Sequence, residues 1–401
     1  MFKPKNYRNS TELTTLNGVP IYMHDMVEAA LRGRLNVFLQ GDTGSGKTQL
    51  ARDVVHYFGD KSLFILGRND MDTRELFQQV NPEFLKALKG QGDGAVKFKE
   101  LTDKIDYNLT VVDELPNCVP AVRAQLFNLF DGFIEIDGKA YPLGSGYSVG
   151  IATGNIGQQF TESSNDLGRA LKDRMHLVLD TDYFRPQPID TLEMLAGDRN
   201  PRVNFGSETV DKTEEIKEAY KKLNETEVPF NKLLIASYLI HGLDYLDGGK
   251  SKIGMKSAWP NAVENHEKGS DAALILPVSP RAAKAVISLS QALDQIVQEK
   301  GAEAPDNFES MMQAFKFISA YSGILNEALV RQTYGEDHYK AMDAVITTTQ
   351  TEFSDDRKGK IAAAFALAAK GKKSEKLAGE FTGRWSFMKN LFERVADENT
   401  R

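Results

Sequence analysis

Along the first 180 positions the chain alternates between short strand-like runs and segments whose apolar residues recur every three or four places. The strand-like runs are Asn36–Gln40, Ser62–Leu66, Leu109–Asp113, Ser148–Ala152 and His176–Leu179. Between the first two, Leu50, Val54 and Phe58 mark a helix. Between the third and fourth, Val122, Leu126, Leu129 and Phe130 fall on one face of a helix over Ala121–Phe130. Strands alternating with helices predict an α/β fold on a five-stranded, largely parallel sheet.

Two excursions interrupt this alternation. Asp137-Gly138 is a strong two-residue turn signal between Phe133–Ile136 and Lys139–Leu143, which predicts a hairpin. Around Asn81–Glu100 a helical stretch breaks into Gly90-Gln91-Gly92-Asp93-Gly94, a flexible turn, followed by the short run Ala95-Val96-Lys97-Phe98. After Tyr183 the pattern changes to helices with charged linkers. Lys232–Tyr245 is expected to be one helix and Gly248–Gly269 a loop. Ser279-Pro280 starts another, with a hydroxyl N-cap and proline at the first helical position, and Ala282, Val286, Leu289, Leu293 and Ile296 as its buried stripe. The last hundred residues are also helical, with Trp385, Met388, Phe392 and Val395 as an apolar seam. The expected organisation is an α/β domain over 1–183, a helical lid over 184–300 and a helical extension over 301–401.

Composition narrows the class. With 401 residues, 41% hydrophobic and 26% charged, the chain reads as a globular protein of two or three domains. No apolar run approaches bilayer length, and Met1–Asn6 lacks the apolar core of a secretory signal. A single cysteine, Cys118, excludes an internal disulfide and suits a reducing cytoplasm. The sequons at Asn108 and Asn224 are then coincidental. Six histidines show no metal-ligand spacing. A net charge of −7 gives no general attraction to nucleic acid, and the clusters Lys250/Lys252/Lys256 and Lys370/Lys372/Lys373/Lys376 read as solvated loops.

The candidate chemistry begins at Gly41-Asp42-Thr43-Gly44-Ser45-Gly46-Lys47-Thr48, which follows the first strand and opens a helix. Glycines let successive N–H groups turn inward at a helix N-terminus, which favours anions. Lys47 can reach β- and γ-phosphates, and the Thr48 hydroxyl can ligate Mg²⁺. The loop reads phosphates, so base choice between ATP and GTP stays open. Leu109–Val112 then delivers two carboxylates. Asp113 can hold Mg²⁺, and Glu114 can orient or deprotonate the attacking water. Asn155 ends the fourth strand with an amide that can position that water. Arg281 stands in the first turn of its helix, where a cation opposes the helix dipole unless an anion lies nearby.

With these motifs in order, the chain resembles the AAA+ ATPases, and within them the MoxR branch. The residues that carry the resemblance are Gly41–Thr48, Asp113-Glu114, Ala152-Thr153-Gly154-Asn155, Asp173-Arg174-Met175 and Ser279-Pro280-Arg281. The resemblance runs from about Val19 to Ala292. It implies a nucleotide-binding α/β core and a helical lid, with ATP and Mg²⁺ as cofactors. Asn155 then looks like sensor 1, Arg281 like sensor 2, and Arg174 like the arginine finger that reaches a neighbouring subunit's nucleotide, with Arg169 a rival. Val19-Pro20-Ile21 resembles the segment lining the adenine pocket. The hairpin at Asp137-Gly138 resembles the pre-sensor-1 hairpin, and Asn81–Glu100 the helix-2 insert. Both elements tend to face a ring's pore. The family often has Asp-Glu-Ile-Asn, whereas here the asparagine comes one place later, at Asn117. The resemblance further implies a homo-hexameric ring that remodels a protein client, for which the family suggests a von Willebrand A-type domain. A nucleic-acid motor or restriction-type NTPase is the rival, with Lys97, Lys99 and Lys139 as its contacts.

Overall fold

A computed structural model of the chain describes residues 2–70, 76–81, 99–136, 138–155, 172–197, 200–204, 210–263 and 270–399. By internal contacts it divides into two compact units. One comprises Met1–Thr226 with Gln291–Ala304, the other Glu227–Ser290 with Pro305–Arg401.

The first unit is built on a five-stranded sheet: β1 (Val37–Gln40), β2 (Ser62–Leu66), β3 (Leu109–Asp113), β4 (Val149–Gly154) and β5 (Leu177–Asp180). Their spatial order is β5-β1-β4-β3-β2, with every neighbouring pair parallel. All residues of β1, β3 and β4 are buried, as expected where helices cover both faces of a parallel sheet. The expected strands agree with these to within one or two residues. Among the described residues, the α-helices of this unit include α1 (Met23–Arg32), α2 (Lys47–Val55), α3 (Pro120–Phe130), α4 (Pro188–Gly197) and α5 (Thr213–Glu225).

Because β4 lies between β1 and β3, the loop after β1 and the carboxylates after β3 flank the end of β4. At the other end of the strands Asn36 fastens the layers together. It is 3% exposed; its amide donates to the carbonyls of Phe130 (2.6 Å) and Arg174 (2.9 Å), and its Oδ1 accepts from Gly150 N–H (2.8 Å). Asn108, in one of the sequons named above, is likewise structural. It is buried and donates to the carbonyls of Gly144 and Tyr147.

The hairpin forms where expected, with Phe133–Ile136 antiparallel to Lys139–Pro142. Gly138 has φ +74°; Asp137 lies outside the described residues. Of the Asn81–Glu100 excursion, residues 82–98 lie outside them too, and its flanks pair as Gln78–Val80 with Lys99–Leu101.

A feature with no local signature is the N-terminal segment. Asp53 on α2 is fully buried, and its Oδ2 accepts from the N–H groups of Asn6 and Tyr7, each at 2.8 Å. Asn9 then donates to the Phe184 carbonyl, and Ser10 to Asp190 at the start of α4. Hydrogen bonds to a charged acceptor contribute about 1.5–3 kcal/mol each, and leaving buried donors unpaired adds a desolvation cost. Asp53→Ala is therefore expected to destabilise the first unit by about 3 kcal/mol. Denaturant unfolding with an unchanged slope checks this; a loss under about 0.5 kcal/mol, the size of an ordinary surface substitution, would mean the segment is held by something else.

The second unit is helical: α6 (Phe230–Ser237), the first half of α7 (Pro280–Glu299), α8 (Asn307–Ser319), α9 (Glu327–Tyr334), α10 (His338–Glu352), α11 (Asp355–Ala368), α12 (Glu375–Gly379) and α13 (Phe387–Glu398). The structure corrects the expected helix Lys232–Tyr245. The α-helix ends at Ser237, a π-turn follows over Tyr238–Gly242, and Tyr245–Leu246 is a short strand paired with Lys250–Ser251. A Cβ on Gly242 would come within 2.4 Å of the Tyr238 ring, so the missing side chain is what lets the turn widen around that ring. Lys252 also departs from its reading as a solvated lysine. It is fully buried, and its ammonium donates to the Ile275 carbonyl at 2.9 Å. The Ser279 hydroxyl caps α7 as expected, accepting from Ala282 N–H, and Val286, Leu289, Leu293 and Ile296 are buried while Ala282 is half-buried. Trp385, Met388 and Phe392 are fully buried, and Val395 is half-buried.

Candidate nucleotide site

The loop between β1 and α2 needs its glycines for two different reasons. Gly41 has φ +152°, and a Cβ there would stand 2.2 Å from Thr181 Oγ1. Gly46 has φ +86°, and its Cβ would stand 2.9 Å from the Tyr7 ring of the N-terminal segment. The loop is thus wedged between the residues after β5 and a buried aromatic. Thr181 Oγ1 donates to Gln40 O (2.9 Å) and is hydrogen-bonded to the Ser45 hydroxyl (2.7 Å), and Asp42 N–H donates to Asp182 Oδ2 (2.5 Å). Burial pushes the Tyr7 phenol up to about 12, so it stays neutral, its oxygen accepting from the Asn9 amide at 3.1 Å.

Lys47, 7% exposed, folds back over the loop. Its ammonium donates to the carbonyls of Gly41 (2.9 Å) and Asp42 (2.6 Å) and to Ser45 Oγ (3.2 Å). Burial lowers its pKa, against the opposing pull of Asp182, Glu114, Asp42 and Asp113. Thr48 Oγ1 donates to Asp113 Oδ1 at 2.9 Å, and Thr153 Oγ1 donates to the same oxygen at 2.5 Å. A hydroxyl beside a carboxylate is a hard-oxygen pair suited to Mg²⁺, which favours a few protein oxygens completed by water and phosphate. The donor set therefore fits Mg²⁺, and the loop's curl fits a phosphate chain.

Glu114 follows directly with φ +59°, a left-handed conformation that costs a side-chain-bearing residue about 1–2 kcal/mol. The strain is held by two contacts. Glu114 N–H donates to Thr153 Oγ1 (3.1 Å), and Asn117 Nδ2 donates to Glu114 Oε2 (2.7 Å). Backbone strain fixed by its surroundings is a mark of functional positions. The asparagine displaced by one place in the sequence thus still reaches the carboxylate. Asn155 closes the arrangement, its amide lying 3.4 Å from Thr43 Oγ1.

The structure therefore brings Gly41–Thr48, Asp113, Glu114 and Asn155 together. It does not bring Arg174 to them. The Arg174 carbonyl accepts from Asn36, which precedes β1, whereas the loop follows β1 at its other end. Five residues of extended chain separate those ends, about 16 Å at the usual strand rise. There the Arg174 Nε donates to Asp131 Oδ2 at 2.8 Å, and its guanidinium lies 4.9 Å from the Phe127 ring centroid. Arg169 lies outside the described residues. Ile21 is fully buried in the strand Val19–Tyr22, and Arg281 is exposed in the first turn of α7, within the second unit. Sequence reasoning missed Thr181, Asp182, Thr153 and Tyr7. Each acts through a partner distant in sequence, although Thr153 stands only two places before Asn155.

Residues 36–175 match the family model described as AAA domain, dynein-related subfamily. No curated protein matches the chain. Among solved structures, one described as a "putative ATPase" from Cytophaga hutchinsonii ATCC 33406 is similar at TM-score 0.56 and 16% identity, over 80% of this chain and 88% of that one. At that identity the likeness speaks for the fold. Family model and fold agree: residues 36–175 match an AAA domain, and together with β5 just beyond them they carry the five-stranded parallel sheet of an α/β nucleotide-binding fold.

Proposed function

We propose that this chain is a Mg²⁺-dependent ATPase of the MoxR type, which works as a ring, usually a hexamer, and remodels or activates a protein client. The observation that carries this reading is the convergence of three strand ends. The loop after β1 meets the carboxylate of β3 through Thr48 and Asp113, and the amide after β4 through Thr43 and Asn155. That is an arrangement for holding a phosphate chain, a cation and a water together.

In this mechanism Lys47 exchanges its loop carbonyls for the β- and γ-phosphate oxygens. Thr48 and Asp113 would hold Mg²⁺, which when bound would neutralise charge on those oxygens. Glu114 takes the proton of the attacking water. Its bond from Asn117 fixes the rotation of the carboxylate, and Asn155 orients the water against the γ-phosphate. Arg174 stands about 16 Å of strand away from its own loop, which supports a role on the neighbouring subunit's nucleotide. Arg281, a cation in the first turn of α7, is assigned to sensing the γ-phosphate, an anion that would offset its conflict with the helix dipole. The hairpin 133–142 and the 81–100 excursion are the proposed client contacts, and a von Willebrand A-type domain is the proposed client.

Affinity capture tests the reading. Glu114→Gln protein held in ATP is expected to retain a discrete protein client, relative to Lys47→Ala, and to keep it after nuclease treatment. Retained nucleic acid, with any bound protein released by nuclease, would instead favour the motor.

A further inference from the structure

Arg174 is not a loose surface arginine. Phe127 and Asp131 lie one helical turn apart at the end of α3, so they share a face. The guanidinium rests 4.9 Å from the Phe127 centroid while its Nε donates to Asp131 Oδ2 at 2.8 Å. The two charged side chains are only 23% and 25% exposed. A surface arginine ordinarily samples many rotamers; here a ring face and a carboxylate fix both the plane and the direction of the fork.

The cradle is itself rigidly mounted. Asp131 caps α3 with its N–H on the Phe127 carbonyl (3.0 Å), and Gly132 closes the hairpin by accepting from Leu143 N–H (2.8 Å). The Arg174 backbone is fastened separately through Asn36. Both ends of the arginine are thus anchored to elements that carry the sheet.

We infer that Asp131, with Phe127 beneath, is a positioning residue that aims Arg174 at the nucleotide of the neighbouring subunit. This rests on the trans role proposed for Arg174. Asp131 touches no nucleotide. It engages Nε, the inner nitrogen of the fork, and so sets the direction in which the two terminal nitrogens are presented to a phosphate. Transition-state charge stabilisation depends on donors already being in place, and a misplacement of about 1 Å can cost about a hundredfold.

The test places one substitution on either side of a subunit junction. Arg174→Ala subunits keep an intact catalytic site and lack the arginine. Glu114→Gln subunits keep the arginine and lack turnover. Mixed rings are expected to recover ATP hydrolysis at junctions where the second kind serves the first. Adding Asp131→Ala to the Glu114→Gln subunits should lower the recovered rate by about tenfold to a hundredfold, with ATP affinity unchanged. The same substitution in the Arg174→Ala subunits, whose arginine is already absent, should leave the recovered rate as it was. Equal loss in both placements would make Asp131 a structural residue and overturn the inference. So would no loss in either placement. Absence of any recovery in the parent mixture, with mixed rings verified by native mass spectrometry, would instead remove the trans role on which the inference rests.

Discussion

Glu114→Gln should bind ATP with near-normal affinity and lose about 10²–10⁴ of its turnover, the usual contribution of a positioned general base. The substitution keeps the shape of the side chain and removes its basicity. Its local supports survive. The amide oxygen of glutamine can still accept from Asn117, and the backbone N–H can still donate to Thr153, so the left-handed turn after β3 is kept. Lys47 and the loop carbonyls it contacts are untouched. Lys47→Ala is the opposite lesion. It removes the ammonium that would hold the β- and γ-phosphates, so binding itself fails. Phosphate release and equilibrium titration with a fluorescent ATP analogue separate the two. Glu114→Gln turning over within twofold of the parent would place the base elsewhere.

How far the chain could be read without its structure depends on the distance over which each feature acts. The sheet strands were legible because the apolar runs are local, and the phosphate loop because its glycines, lysine and threonine lie within eight positions. The hairpin was legible from one dipeptide. The segment Lys232–Tyr245 misled because a helical run of apolar residues conceals the π-turn that Gly242 permits around Tyr238. Lys252 misled because nothing near it announces that the Ile275 carbonyl will receive it in a buried pocket. The N-terminal segment was invisible for a similar reason, since Asn6 and Tyr7 find their acceptor 47 and 46 residues away on α2. So was the tie between the C-terminal hundred residues and the rest of the second unit. Arg384 forms a bidentate pair with the buried Asp271, 113 positions earlier, and the Trp385 ring packs tilted against Tyr238 with centroids 5.0 Å apart. Such pairs have no spacing rule. Thr181 and Asp182 fall in the same class, because they brace the phosphate loop from the strand beside it.

Arg174→Ala carries the second large effect, a loss of about 10³–10⁵ in turnover if the arginine serves as a finger in trans. Each subunit should still bind ATP normally, because Arg174 sits at the far end of β1 from the loop that holds the phosphates. Some loss of subunit stability is built into the substitution, since the pair with Asp131 and the contact with Phe127 go with it. Mixing separates the two effects. In a head-to-tail ring each junction pairs one subunit's catalytic site with the next subunit's arginine. When Arg174→Ala and Glu114→Gln subunits assemble at random, a working junction needs one of each in the right order. The recovered rate should follow the product of the two fractions and peak at equal mixing, near a quarter of the parent rate. An arginine acting within its own subunit would give no recovery at any ratio, because neither kind of subunit then holds a complete site. A maximum at equal mixing can come only from a site divided between two chains, and a ring of identical subunits that divides its sites in this way cannot hydrolyse ATP at full rate until it has closed.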